Sequence, residues 1–253
     1  MQITGVTLTG TTVVSRPIIT SGLQYYVDIG NTSSYSGSGI YANNISGTAI
    51  GATAIANGPV FTSAGVSSYF TFDGSNDVAY TPTMLSLFNS PVNNNVTLEV
   101  WVYTTTDNGV VVSEQGNSPI NSGWHDSQIE IVSGNLRVAV WTASGYFSPT
   151  GLNVGAVTRN AWQQYVLTYD SASSTLTGYI NASTSASQGG IVRASPQSTA
   201  QPQLYYDLMY TDTTNLGDGS SLAGRWSIFR VYNRALTAAE VLQNYQADSW
   251  RYS

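Results

Sequence analysis

From Leu23 onward, apolar and polar residues alternate in short runs divided by turns rich in Gly, Asn, Asp and Ser. A two-residue period places successive side chains on opposite faces, so the pattern predicts many short strands of a sandwich or barrel. In "TLEVWVYTTT" it sets Leu98, Val100 and Val102 on one face, with Trp101 and Tyr103 on the other. "VVVSEQ" follows across Asp107-Asn108-Gly109, and Asn-Gly supplies the positive φ angles of a tight turn, so the two runs are expected to pair as a hairpin. "SQIEIV", "NLRVAVWT", "WQQYVLTYD", "TLTGYIN" and "RWSIFRVYNR" predict further strands. The period changes once. Thr237 to Glu240 reads as a T-x-x-E capping box, followed by Val241, Leu242 and Tyr245 as an apolar stripe, which predicts one C-terminal helix.

Residues 1–20 alternate apolar residues with Thr or Gly, then break at Arg16-Pro17, because proline cannot donate to a ladder. They are expected to form a β-type arm lying along the body of the domain or a neighbouring subunit. Pro196 and Pro202 make residues 183–203 a long surface loop rather than a boundary. The parse is an arm, 1–20, and one domain, 21–253. No stretch nears the about 18 apolar residues of a membrane span, and "MQITGVTLTG" lacks the basic and apolar regions of an export signal.

Charge alters the picture most. Charged residues make up 9% of the chain, no lysine occurs, and the net charge is -6. Phosphate-backbone binding needs clustered Lys and Arg, so nucleic acid is not an expected partner. A surface wetted by hydroxyls and amides loses little on desolvation, which suits assembly into a homo-oligomer or with neighbours. With no cysteine, packing and hydrogen bonds must hold the fold.

"FTFDGSNDVAY" (70–80), "VTLEVWVY" (96–103), "AWQQYVLTYD" (161–170), "LTGYIN" (176–181) and "LAGRWSIFRVYNRALTAAEVLQNY" (222–245) resemble, in order and spacing, the landmarks of a laminin G-like, concanavalin A-like domain. The resemblance covers roughly residues 22–246. It implies an all-β antiparallel sandwich of jelly-roll type with one short C-terminal helix. "DIGNTSSYSGSG" resembles the version found in tailed-phage proteins, where a strand ending in Asp runs into a Gly-Asn-x-x-Ser-Tyr-x-Gly-Ser-Gly loop. In "YANNISG", Ala42 and Asn44 replace the Trp and Asp of those relatives, and "PQLYYDLMYTDTTNLGDG" lacks the usual short Ile-Gly strand ending. The ligand-facing loops are therefore remodelled.

Glucanase-type relatives carry paired carboxyls on one strand, set about 5 to 5.5 Å apart for retaining hydrolysis. Here the nearest counterpart is Asp126, Gln128 and Glu130, expected on one strand face, with an amide at the centre and a shortened first acid. His125 is the sole histidine, and no serine sits in a nucleophile elbow, so no catalytic residue is assigned. No cofactor is required. The resemblance allows calcium, for which Asp73 and Asp77, or Asp212 and Asp218, offer hard oxygens, although neither spacing is a dedicated calcium loop and turn capping accounts for both. Trp124, Trp141, Tyr146 and Tyr206 are the candidate glycan-binding aromatics.

The expected protein is non-enzymatic: a virion structural component of a tailed phage, made without a signal peptide. It would dock other virion proteins through its arm and expose a lectin-like domain at the virion surface. The alternative is a glycan-binding module for host attachment, with cell-surface glycan as partner, and after it a glycoside hydrolase.

Overall fold

The computed structural model describes residues 17–88, 94–115, 126–142, 151–194, 204–211 and 220–253. Their alternating runs become β1 (Leu23–Asp28), β2 (Tyr41–Ala42), β3 (Thr53–Ala56), β4 (Val60–Thr62), β5 (Tyr69–Asp73), β6 (Val78–Tyr80), β7 (Val96–Thr104) and β8 (Gly109–Gln115). There follow β9 (Asp126–Val132), β10 (Asn135–Val138), β11 (Leu152–Ala156), β12 (Trp162–Asp170), β13 (Thr175–Ile180), β14 (Thr184–Gln188), β15 (Tyr205–Leu208) and β16 (Ala223–Tyr232). One sheet runs β14-β13-β12-β7-β16-β5-β4, with β1 paired to the second half of β16. The other runs β11-β10-β9-β8-β15-β6-β3-β2. All these strand pairs are antiparallel, as the jelly-roll expectation requires.

Leu98, Val100 and Val102 of β7 face inward and share one core with Leu167, Trp226 and Phe229 of their own sheet and Val112, Ile129 and Leu208 of the other. The opposite face of β7 is covered by α1 (Ala238–Asp248) and a 3-10 turn (Ser249–Tyr252): Trp101 stacks on Tyr245 and Tyr252, with centroids 5.6 and 4.7 Å away. Thr237 caps α1 as the sequence implies, and Glu240 returns the bond to the Thr237 amide.

Beneath α1, Arg230 and Glu99 are fully buried. Arg230 bonds Glu99 at 2.7 Å and Asp248 at 2.7 Å, while Gln164 and Asn244 donate to the two Glu99 oxygens. Burial opposes the charge of Arg230, but Asp248 and Glu99 hold its guanidinium protonated more firmly than usual. Five further arginines are paired with carboxylates: Arg137 with Glu130, Arg159 with Asp107, Arg193 with Glu114, Arg234 with Glu240, and Arg251 with Asp28 and Asp248. Among the described residues Arg225 alone has no carboxylate.

Three expectations need correction. β7 and β8 do not form a hairpin: β7 lies between β12 and β16, β8 between β9 and β15 in the other sheet. The Asp107–Gly109 turn is fixed instead by the β9–β10 turn, whose Ser133 and Gly134 amides donate to Asn108 Oδ1 and the Asp107 carbonyl. Gly109 has φ +149°, and a Cβ there would lie 2.7 Å from Leu222, so glycine is needed for this crossover rather than for a type I′ turn. On α1, Leu242 is 43% exposed, because the buried face is set by Val241, Asn244, Ala247 and Asp248 above the Arg230 network. Within 183–203, residues Thr184–Gln188 form an edge strand on β13, and Ile191 and Arg193 are buried.

Of the arm, residues 17–20 are described, and they rest on their own domain. Ile19 N donates to Asn244 Oδ1 at 2.8 Å, and Gln243 donates to the Pro17 carbonyl at 2.8 Å. Residues 1–16 lie outside the described residues.

Candidate functional site

The Gly/Ser-rich stretch after β1 folds through its own short side chains. Asp28 Oδ1 accepts from Gly30 N at 3.0 Å, the Asn31 carbonyl accepts from Ser34 N and Tyr35 N, and Ser34 Oγ donates to the Asn43 carbonyl at 2.8 Å. Such side-chain to backbone bonds let a loop dispense with a ladder. Tyr35 is tucked inward, 5.0 Å from both Phe61 and Phe70, and its hydroxyl donates to Gly39 O at 2.9 Å. At Gly30 a Cβ would stand 2.0 Å from the Val66 carbonyl oxygen, so only glycine allows this loop to meet residues 63–68. Arg251 locks the junction. Its guanidinium binds both Asp28 oxygens, at 2.6 and 2.9 Å, and reaches the Val66 carbonyl.

Two adjoining hollows result. One, of about 320 Å³, lies among Asp28, Asn31, Thr32, Val66, Trp250 and Arg251. The second, of about 310 Å³, lies among Tyr35, Ser36, Gly37, Phe61, Ser63 and Ser68. They share Gly30, Thr32 and Val66 as lining, so they adjoin in one cleft region, each hollow at the lower end of the ligand-pocket range. At its rim Trp250 is 51% exposed, its indole held by a 2.8 Å bond from Nε1 to the Ala247 carbonyl. An oriented aromatic face beside hydroxyls, amides and a fixed ion pair suits a ligand with both apolar C–H surfaces and many hydroxyls.

Of the four aromatics singled out from sequence, the two that are described, Trp141 and Tyr206, do not line the cleft. Tyr206 cannot serve: it is wholly buried between the sheets, its ring 6.1 Å from Phe229, so no face is open to a sugar. Its alternation on β15 points it inward, a fact hidden until the strand's partner is known. Trp141 is partly buried, and its carbonyl accepts from Ala194 N at 2.8 Å. Trp124 and Tyr146, and the calcium candidates Asp212 and Asp218, lie outside the described residues. Asp73 and Asp77 serve their own turn: Asp77 Oδ2 accepts from Asp73 N at 2.9 Å, and Asp73 Oδ1 from Ser75 N at 2.8 Å. Among the described residues no cluster of three His or acidic side chains is placed to hold a metal ion.

The carboxyls of β9 do not share one face. Irregularities in the β8–β9 register at Val111 and Gln128 break the alternation. Glu130 pairs with Arg137, cross-strand on β10, at 2.6 Å. Asp126 instead accepts from Gln128 at 2.9 Å in a buried group with Glu114 and Arg193. Burial, reinforced by the charge of Glu114, pushes Asp126 well above the usual carboxylate range.

Residues 73–242 match the sequence profile of the concanavalin A-like lectin/glucanases superfamily. No curated protein sequence matches the chain. Among solved structures, Trypanosoma rangeli sialidase in complex with the inhibitor DANA aligns with a TM-score of 0.62 at 13% identity, over 95% of this chain and 36% of that one. The binding domain of Paraclostridial Mosquitocidal Protein 1 aligns at 0.60 and 16% identity, over 91% of this chain and 53% of that one. For the Botulinum Neurotoxin Type G receptor binding domain the figures are 0.58 and 17%, over 89% and 51%. The chain thus spans about a third to a half of each of these structures, and the likeness is one of fold.

Proposed function

The chain belongs to the concanavalin A-like lectin/glucanase superfamily, and from that premise we propose that it is a lectin-like domain that binds glycan without hydrolysing it. The cleft beside Trp250 carries this reading: a fixed, half-exposed indole bordering a hydroxyl- and amide-lined hollow. The state of the acids supports binding over catalysis. Glu130 is committed to Arg137, Asp126 and Glu114 are enclosed with Arg193, and the two carboxylates that line the cleft, Asp28 and Asp248, are both held by Arg251.

A glycan array followed by calorimetry on the best neutral ligand tests this. Trp250→Ala is expected to weaken binding by at least about tenfold, the effect of losing about 1.4 kcal/mol, while Tyr206→Phe leaves it unchanged. Hydrolysis of any polysaccharide, abolished by Glu130→Gln, would replace the reading with that of a glycosidase.

The virion reading is proposed alongside. The loop that resembles the tailed-phage version, "DIGNTSSYSGSG", is the one that builds the cleft wall. On a particle, the part of the arm ahead of Pro17 would dock to neighbouring virion proteins and the cleft would face outward, in a symmetric homo-oligomer. Recovery at stoichiometric copy number from purified particles supports this role, and absence from them removes it.

A further inference from the structure

Among the described residues Arg225 is the single cation without a carboxylate partner, and it is partly exposed on the outer face of its sheet. Its surroundings are aromatic. The guanidinium carbon stands 4.8 Å from the Tyr69 ring centroid and 4.4 Å from that of Tyr103. Trp162 closes the group, 5.7 Å from Tyr69 and 6.0 Å from Tyr103, and packs at a tilt against Tyr252 at 4.7 Å. The strand register builds this patch: Tyr103 of β7 is the direct cross-strand neighbour of both Trp162 on β12 and Arg225 on β16. Tyr69, Tyr103, Trp162 and Arg225 all stay partly exposed because α1 and its following turn stop at Tyr252.

We propose that this patch binds the carboxylate of an acidic sugar, a uronate or sialate residue within a glycan. Tyrosine faces orient the guanidinium by cation–π contact, and among the described residues no acceptor takes its N–H donors. A planar fork of that kind matches a carboxylate with two parallel bonds, and the partly exposed ring of Trp162 beside it offers an apolar surface to the C–H groups of the sugar. The chain's net charge of -6 and its lack of lysine mean that no broad basic field competes, so this is a local site and not a polyanion track. It is separate from the cleft. The turn Ser249–Tyr252 divides them, with Trp250 and Arg251 on the cleft side and Tyr252 on the Trp162 side.

Titration of the full chain with trigalacturonate and with sialyllactose, followed by tryptophan fluorescence and calorimetry, tests the proposal. At least one acid should bind, with affinity falling as salt rises and lost on methyl esterification of the carboxyl. Arg225→Gln should weaken binding about tenfold or more with the fold retained by circular dichroism, Arg225→Lys should recover only part of it, and Arg159→Gln should change nothing. The idea fails if neither acid binds, if the methyl esters bind equally well, or if Arg225→Gln binds as the parent does. Equal competition by a hexaglutamate peptide would assign the patch to an acidic protein segment and overturn the sugar reading. Trp250→Ala separates the two sites: it should weaken neutral-glycan binding in the cleft and spare the acid response.

Discussion

Arg230 and Glu99 show how much one buried charge determines around it. Each would be untenable alone in the interior, and each is matched: Glu99 by Arg230, Gln164 and Asn244, Arg230 by Glu99, Asp248 and the Tyr26 hydroxyl at 3.2 Å. Well-packed hydrophobes in its place would often stabilise the fold as well, but removing one partner strands the others. Arg230→Met should therefore lower unfolding free energy by about 3 to 5 kcal/mol, read from the urea midpoint at constant slope. A loss below about 1 kcal/mol would mean that Glu99 takes up a proton and the site relaxes. The same logic isolates Arg225, the one described guanidinium left to a ligand.

Helix α1 is short enough that its ends decide its stability. Thr237 and Glu240 satisfy amides at its first turn, and Arg234 grips Glu240 at 2.7 and 2.9 Å. Those Arg234 bonds lower the Glu240 carboxyl to about 2 from 4.5. A folded value below the unfolded one means that its contribution is complete above pH 4.5 and disappears as pH falls from there toward about 2. Thermal melts across that window should show the parent losing stability more steeply than Glu240→Gln; parallel curves would show that the cap is not acid-sensitive. Because α1 and its following turn carry Asn244, Asp248, Trp250 and Arg251, fraying here is also expected to loosen the cleft.

At the scale of the whole molecule, nearly all strong electrostatics are internal. Arg230, Arg193 and Arg251 are each almost wholly buried, while Arg159–Asp107 is a pair about half exposed on both sides. Salt screens exposed pairs far more than enclosed ones. From about 0.1 to about 1 M NaCl, where the Debye length shrinks from about 10 to about 3 Å, the thermal midpoint should hold nearly constant. A steep fall would show that surface pairs sustain the sandwich. The contrast with the Arg225 site, whose ligand affinity should drop over the same range, distinguishes fold from binding.

The alternation of apolar residues by itself determined the β class, the inward face of β7 and the capped C-terminal helix, because these depend on local period and on side chains three residues apart. What touches what across the sheets was decided only in three dimensions. Asn108-Gly109 carries the local signature of a hairpin, yet the stabilising partners of that turn are Ser133, Gly134 and Leu222, distant in sequence. Tyr206 and Tyr103 are equally aromatic and equally strand-borne, but one faces Phe229 in the core and the other faces outward beside Arg225. The cleft, too, needed residues 28–37, 61–68 and 250–251 brought together through a glycine approach and one arginine, and a linear chain carries no mark of that meeting because each piece is satisfied by groups far along it.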